Sequence, residues 1–349
     1  MLVLGIETSC DETSVAVLDG DGRVLSNVVS SQLAAHAPYG GVVPEVAARA
    51  HLENLPAVLE QALASSAASL EEIGLVAATA GPGLIGALLV GLSAAKALAF
   101  ARGIPLVPVN HLEGHLFSAF LRAGGGMPHP VSHPFHGLVV SGGHAELVRV
   151  EPDRIVPLAR TRDDAPGEAF DKVARRAGLG YPGGPVVDRI ASRGKGDRHR
   201  FPIGRAGDGS LDFSFSGLKT AMLRQLERAG VDGTPLDPDT LPDDLVDLLA
   251  SFQRAIVEAL LDRVAAVHAG EGIRMLALSG GVAANSELRA SLAAWGEREG
   301  VPVFLPERSL TTDNAAMIAW AGLLRYRREG PRDFLSVNAR SRWPLGEGH

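Results

Sequence analysis

The chain opens on an apolar run, Leu2-Val3-Leu4-Gly5-Ile6, that stops at the polar turn Glu7-Thr8-Ser9-Cys10-Asp11-Glu12-Thr13. Residues 14–18 resume the run, Gly20-Asp21-Gly22 breaks it, and residues 23–29 follow, a pattern that predicts a three-stranded meander. The pattern returns from Gly137: Leu138-Val139-Val140, the turn Ser141-Gly142-Gly143-His144, a strand over 146–150, a Pro152-Asp153 turn and a strand over 155–158. Such self-similarity predicts a duplicated architecture. A third strand-turn unit, 274–278 followed by Ser279-Gly280-Gly281, leads into a helical pattern over 285–295. Alternating strands and helices place the chain in the α/β class. The Gly-, Pro- and His-rich stretch 124–136 and the Pro- and Asp-rich stretch 231–244 read as connections.

A length of 349 residues exceeds one typical domain and predicts two lobes or one large duplicated domain. With 46% hydrophobic and 21% charged residues and 41 glycines, the chain is globular, rich in turns and in small-residue helix packing. The net charge of −7 argues against a wholly basic nucleic-acid surface, so any RNA contact needs a local patch or a partner protein. Cys10 is the single cysteine, which excludes an intramolecular disulfide, and the first residues enter a strand without a basic leader, so a cytoplasmic location is expected. Residues 84–100 are the most membrane-like, but Lys96 and the many Gly, Ala and Ser residues read as a packed core helix.

Asn110-His111-Leu112-Glu113-Gly114-His115 follows a strand-like run and starts a helical pattern. A spacing of four puts His111 and His115 on one helical face, where two imidazoles can share a metal. Glu113 stands two residues after the first histidine, not directly after it as in the zinc-protease pattern, and should face away from the pair. A solvated or core histidine pair is the alternative. Thr311-Thr312-Asp313-Asn314 precedes an apolar run, so Thr312 or Asp313 is expected to cap a helix. If the fold brings Asp313 to the histidines, a two-histidine, one-carboxylate site with open positions results. The turns around Thr8–Thr13 and Ser141–His144 offer hydroxyls and backbone N–H groups that can bind phosphate oxygens. Asp171 and Asp188 flank the turn Tyr181-Pro182-Gly183-Gly184-Pro185, where carboxylates can hold ribose or substrate hydroxyls, although a charged helix face is the commoner role. Residues 193–205 hold the densest basic stretch noted, with Arg193, Lys195, Arg198, Arg200 and Arg205, either a phosphate-backbone contact or a solvated loop.

Taken together, these motifs closely resemble the TsaD (Kae/Qri) family, along residues 4–342. The carriers are the opening Gly5-to-Thr13 motif, Tyr39-Gly40-Gly41-Val42-Val43-Pro44-Glu45, Gly81-Pro82-Gly83-Leu84 and His111-Leu112-Glu113-Gly114-His115. Further along stand Gly167-Glu168-Ala169-Phe170-Asp171-Lys172, Phe213-Ser214-Phe215-Ser216-Gly217-Leu218-Lys219, Ser279-Gly280-Gly281 and Thr312-Asp313-Asn314. The resemblance implies a duplicated actin/Hsp70/sugar-kinase (ASKHA) fold with two lobes around a nucleotide cleft. Residues 1–109 are expected as the first lobe, closed by part of the C-terminal helix. Residues 110–349 are expected as the second, with a metal-binding segment 110–122 and an inserted region at about 160–250. It implies one divalent ion per subunit, Fe(2+) with Zn(2+) as the alternative, on His111, His115 and Asp313, and substrate contacts by Val139, Val140, Ser141, Gly142, Gly143, Asp171, Gly184, Asp188 and Asn285. The family's reaction moves threonylcarbamoyl from threonylcarbamoyl-AMP to an adenosine next to the anticodon of tRNA, with TsaB and TsaE as partner proteins and no membrane. Asp11, mid-turn beside the expected phosphate site, is the candidate for accepting or positioning the amine's proton, with a structural role in the hairpin turn as the alternative. The chain departs from the pattern at Asn110, where a histidine is frequent, at Ala145, where threonine is common, and in a longer 124–136 loop. A metalloprotease and an ATP-dependent scaffold are the rival readings.

Overall fold

The first apolar runs fold as the expected meander in the computed structural model, which describes residues 1–39 and 41–347. Gly40, in the Tyr39-Gly40-Gly41 motif, lies outside the described residues. Strands β1 (Leu2–Glu7), β2 (Glu12–Leu18) and β3 (Val24–Ser31) pair antiparallel, with Gly5 opposite Ala16 and Glu7 opposite Ser14. After the short α1 (Leu33–His36) and the long α2 (Pro44–Ser66), β4 (Ile73–Gly81) enters parallel to β1. Helix α3 (Ile85–Arg102) then leads to β5 (Leu106–Asn110), parallel to β4, and α4 (His111–Ser118) follows without a loop. The strand order is β3-β2-β1-β4-β5.

Both faces of this sheet are covered, which is why β1 and β4 are apolar at successive rather than alternate positions. Leu4 and Ile6 point into a core shared with Leu55 and Val58 of α2 and Leu92 and Ala95 of α3. Gly5 points the other way, where a Cβ would lie 2.3 Å from the carbonyl oxygen of Ala315. That close approach seats the C-terminal helix on the strands, and Gly322, whose Cβ would meet Ala77 at 2.4 Å, repeats it two turns on. Among the described residues α3 is the one helix long and apolar enough to cross a membrane. Its Ala87, Leu88, Gly91, Leu92, Ala95 and Ala99 are nonetheless buried against the unit's own core, as expected for a packed helix.

The second meander builds a second sheet on the same plan. Strands β6 (Phe135–Val140), β7 (Ala145–Val150) and β8 (Ile155–Arg160) pair antiparallel. Four helices follow: α5 (Pro166–Arg176), α6 (Gly183–Ala191) and α7 (Ser216–Arg228) in the region expected as an insertion, and α8 (Asp243–Glu271), which runs past its expected end. Then β9 (Leu276–Ser279) pairs parallel to β6, and after α9 (Ser286–Glu299) the two-residue β10 (Val303–Phe304) pairs parallel to β9. The order β8-β7-β6-β9-β10 repeats the first sheet strand for strand. Last comes α10 (Ala315–Glu329), which packs on the first sheet.

The compact units are Met1–Val131 with the chain from Pro306 onward, and Ser132–Leu305. The dividing point therefore falls at 131/132 where the sequence suggested 109/110. Helix α4 explains the difference: Gly114 brings it against α10, where a Cβ would lie 2.7 Å from Ile318 and 3.3 Å from Met317, so the histidine segment belongs with the first sheet.

Candidate metal centre and glycine turn

Asn110 ends β5 and caps α4. Its side-chain oxygen accepts the N–H groups of Leu112 at 2.9 Å and Glu113 at 3.4 Å, while its amide donates to the carbonyl of Trp343 at 2.9 Å. Held in this way, α4 starts at His111 and presents His115 one turn later on the same face. The rings stand edge to face with centroids 4.7 Å apart.

Asp313 reaches them from the start of α10. The expected capping role of Thr312 or Asp313 falls instead to Asn314, whose side-chain oxygen accepts the N–H of Met317 at 3.1 Å. Ser14 Oγ takes the Ala315 N–H at 2.9 Å and Asn27 Oδ1 the Ala316 N–H at 3.3 Å, so the first amides of the helix are satisfied by side chains other than Asp313. Asp313 is thereby left to its Oδ1 contacts, 2.9 Å from His115 Nε2 and 3.4 Å from His111 Nε2. Ligand atoms of all three residues lie within 4.8 Å of one another.

Glu7, at the end of β1, completes the cluster from behind. Its buried carboxylate accepts the Thr79 hydroxyl at 2.6 Å and the Ser9 N–H at 2.5 Å, and Oε2 lies 3.1 Å from His111 Nδ1. Ser9 Oγ is also 3.1 Å from that nitrogen. Burial by itself would raise the Glu7 carboxyl, but the neighbouring His111 holds it below its usual value. Burial would likewise lower His111, and the Asp313 and Glu7 carboxylates raise it well above the ordinary histidine value. Asp313 is held far below the carboxylate range, against its own burial, by His111 and His115.

Two imidazole nitrogens and one carboxylate oxygen are a fitting donor set for Fe(II) or Zn(II). The Glu7 contact to Nδ1 would leave Nε2 of His111 for such an ion, as in a carboxylate-histidine-metal relay. In the metal-free protein a proton on His111, between two carboxylates, serves as the neutralising cation. A raised folded-state pKa contributes stability that is full below the unfolded histidine value and lost as pH rises through the folded one. Metal-free protein is therefore expected to lose melting temperature as pH rises through the raised His111 value. The rise on adding metal should grow over the same window, because binding displaces that proton. Calorimetric melts with and without metal across pH read both slopes; parallel curves would refute the linkage.

Asp11 and Glu12 lie in the turn beside this cluster. The Glu12 carboxyl is pushed up to about 9, first by burial and then by the charges of Asp313 and Asp11, with an added side-chain hydrogen bond to Asp11. His51 clamps the turn from α2. Burial lowers its pKa, so it is neutral: Nε2 donates to the Cys10 carbonyl at 3.0 Å and Nδ1 accepts from Thr13 Oγ1 at 2.7 Å. Glu7 and His51 were absent from the sequence-derived site, and Ser9 and Glu12 entered it only as members of the Thr8–Thr13 turn. A glutamate ending an apolar run was the one readable signal, since a buried carboxylate needs partners.

The second unit carries the glycine turn. Val139 and Val140 are buried in β6, and the turn closes through Ser141 N–H to the His144 carbonyl at 2.8 Å. Helix α5 begins directly under it: Gly167 N–H donates to Ser141 at 3.3 Å and Glu168 N–H to Gly142 at 3.0 Å. Gly280, at φ +88°, is obligatory, because a Cβ would sit 2.4 Å from the Val140 carbonyl oxygen. Gly142, Gly143, Gly184 and Gly281 differ: a Cβ on any of them would meet nothing within 4 Å. They leave space that packing does not require. Asp171 accepts the Gly183 N–H at 2.7 Å, and burial raises its carboxyl. Asp188 accepts the Ser286 N–H at 3.1 Å and hydroxyl at 2.7 Å. Asn285 caps α9 through the Leu288 N–H at 2.9 Å and donates to Gln253 at 2.8 Å. The Asp171 side chain thus meets the N-terminus of α6, and those of Asp188 and Asn285 meet the N-terminus of α9.

Two sheets of one topology, the first with a His-His-Asp cluster and the second with open glycine turns, define a duplicated ASKHA-type protein. Solved structures agree on the fold: full-length HypF in its phosphate- and nucleotide-bound form aligns with a TM-score of 0.60 at 12% identity, over 95% of this chain and 56% of that one. Component A of the (R)-2-hydroxyglutaryl-CoA dehydratase of Acidaminococcus fermentans gives 0.52 at 14% identity, over 94% and 98%. The profile of the TsaD family, tRNA N6-adenosine threonylcarbamoyltransferase, matches residues 23–320. Relatives of that name are 48% identical in Geobacter sp. (strain M21), over 99% of this chain and 97% of the relative, and 49% identical in Pelobacter propionicus (strain DSM 2379 / NBRC 103807 / OttBd1), over 100% and 99%. The chain belongs to the TsaD family of transferases.

Proposed function

We propose that this protein transfers the threonylcarbamoyl group of threonylcarbamoyl-AMP to the exocyclic amine of the adenosine 3′-adjacent to the anticodon, in tRNAs reading codons that start with A, and releases AMP. The His111, His115 and Asp313 cluster carries the reading, since a lone actin-like scaffold has no use for it. A protease reading is not favoured: Glu113 has Arg325, Arg328 and Glu329 as its electrostatic neighbours and takes no part in the cluster.

A divalent ion on these three residues, Fe(II) in our reading with Zn(II) as the alternative, would supply Lewis acidity toward a phosphate or carbonyl oxygen. The exposed Ser141-Gly142-Gly143 turn, flanked by Val139 and Val140, offers N–H groups to the donor's phosphate or carbonyl oxygen. Gly184 leaves room for the nucleotide, and Asp171, Asp188 and Asn285 orient it. The adenosine nitrogen attacks the carbamoyl carbon, the bond from that carbon to the phosphate oxygen breaks, and AMP departs with the electron pair. Asp11 accepts or positions the nitrogen's proton, with the Glu12 acid beside it and hydrogen-bonded to it. The proposal includes TsaB and TsaE as partner proteins and a cytoplasmic location. Ile85, Leu89 and Phe100, exposed along α3, give an apolar face for one of these partners.

The test is direct. Metal-loaded protein, with and without TsaB and TsaE, is incubated with threonylcarbamoyl-AMP and unmodified tRNA, and threonylcarbamoyladenosine is measured by nucleoside mass spectrometry. Product from wild type and none from His111→Ala is expected. An intact, metal-loaded protein that forms no product in any combination would overturn the assignment.

A further inference from the structure

We propose that the arginine-rich C-terminal segment 325–342 is the surface that grips the phosphate backbone of the tRNA, an inference that rests on the transferase reading. A chain of net charge −7 needs a local basic patch to hold RNA. This segment has one: Arg325, Arg327, Arg328, Arg332, Arg340 and Arg342 stand against only Glu329 and Asp333.

The placement of these charges matters more than their number. Arg325, Arg328 and Arg332 converge on the single carboxylate of Glu329, at 3.3, 2.6 and 3.4 Å. One negative charge thus faces three guanidinium groups, and the excess is open to solvent, with Arg328 42% and Arg332 66% exposed. Arg325 is fixed by its bond to the Pro108 carbonyl at 3.0 Å, so the base of the patch is rigid. A cavity of about 490 Å³ opens there against β5, where Arg325, Arg332, Arg340 and Tyr326 share the lining with the acids Glu329 and Asp333. Guanidinium groups bind phosphate oxygens in pairs, and an aromatic ring offers a face to a base.

The basic stretch at 193–205 contrasts with it. There Arg205 is paired with Asp262, Arg193 donates to the carbonyls of Pro238 and Asp239, and Arg198 lies 3.9 Å from Asp247. Arg198 and Arg205 thus face a carboxylate each, one for one, where Glu329 is shared by three guanidinium groups. The C-terminal patch also has a defined reach: α10 carries it at one end and follows Asp313 at the other, about 22 Å away for 15 residues at 1.5 Å each. That span is about six phosphate repeats along a duplex strand. An RNA held at the patch thus has its reacting nucleotide several positions away, toward Asp313, which directly precedes the other end of this helix.

The experiment measures binding of unmodified tRNA to full-length, metal-loaded protein by fluorescence anisotropy between 50 and 200 mM salt. Arg328→Ser, Arg332→Ser and Arg342→Ser are compared singly and together, beside the lysine versions of the same three positions and beside Arg193→Ser/Lys195→Ser/Arg198→Ser. The triple serine variant should bind about ten- to a hundred-fold more weakly, with a salt slope shallower by about 0.9 for each phosphate left without its guanidinium. Its KM for tRNA should rise while kcat at saturating tRNA stays near wild type, and the lysine variant should recover most of the affinity. Wild-type affinity and slope in the triple serine variant would overturn the proposal. So would an equal loss in the 193–198 variant alone, or competition at the patch by polyglutamate and not by RNA. Because product formation at saturating tRNA is scored separately, failure of the patch is distinguishable from failure of the transferase reading.

Discussion

Asp313→Ala is expected to abolish tight metal binding and to lower threonylcarbamoyl transfer by about three orders of magnitude, while the protein stays folded. The loss follows from one oxygen atom that lies within hydrogen-bonding range of both histidines' Nε2 atoms or just beyond it, so its removal leaves two neutral donors where three ligands with a negative charge stood. A metal's contribution to such a reaction is several kcal/mol, and each 1.36 kcal/mol is about a factor of ten. Folding is spared because Asn314, Ser14 and Asn27, and not Asp313, satisfy the start of α10. Asn314→Ala makes the informative contrast: it removes the cap, at a cost of about 0.5–2 kcal/mol, and keeps the ligand. Metal content by elemental analysis, melting temperature and product yield should therefore separate the two variants. Retained metal and activity in Asp313→Ala would remove this cluster from the mechanism.

Gly167→Ala is expected to reduce kcat/KM by about a hundred-fold through displacement of the glycine turn. Its added methyl would lie 2.7 Å from Gly142 Cα and 2.8 Å from the Ser141 carbonyl oxygen, and both obstacles are backbone. No side chain can rotate away, so the turn or the start of α5 must shift, and a misplacement of about 1 Å in a binding site costs on the order of 10²-fold. Overpacking of this kind also costs about 1–3 kcal/mol of stability. Gly143→Ala tests the same turn from its open side, where the methyl meets no atom of the protein. That variant should keep its melting temperature and lose affinity for AMP, measured by calorimetry. Equal AMP affinity in wild type and both variants would mean that the turn does not hold the nucleotide.

The meanders were legible because antiparallel strands are joined by short polar turns, so Glu7 to Thr13 and Ser141 to His144 punctuate the apolar runs clearly. β4 was harder, since Ile73–Gly81 is rich in alanine and glycine and its apolar run is not distinctive. The histidine pair was visible from its spacing of four, which needs only helix geometry. Its union with Asp313 came only from the family resemblance, because spacing says nothing of a contact that joins residues 198 positions apart. Capping went astray for a local reason: Thr312, Asp313 and Asn314 are all competent caps, and only the backbone, extended at Asn314 with φ −156° and ψ 154°, selects one. The domain boundary was misplaced because nothing near Asn110 in the sequence announces that α4 packs on a helix some two hundred residues later. Gly114 permits that packing, but a glycine in a histidine motif also reads as a turn.

The first unit is closed by a helix that the ribosome makes only after the second unit. Strands β1 to β5 and both histidines are translated early, whereas α10 and Asp313 follow the whole of Ser132–Leu305. The second unit is continuous in sequence and has all its strands by residue 304, so it is the first that can complete its core as the chain emerges. Until then the sheet face marked by Gly5 and Ala77 has no cover. Metal capture at the proposed site would thus be a late event in biogenesis, and a message truncated between codons 305 and 313 encodes the whole of the second unit and a first unit without Asp313.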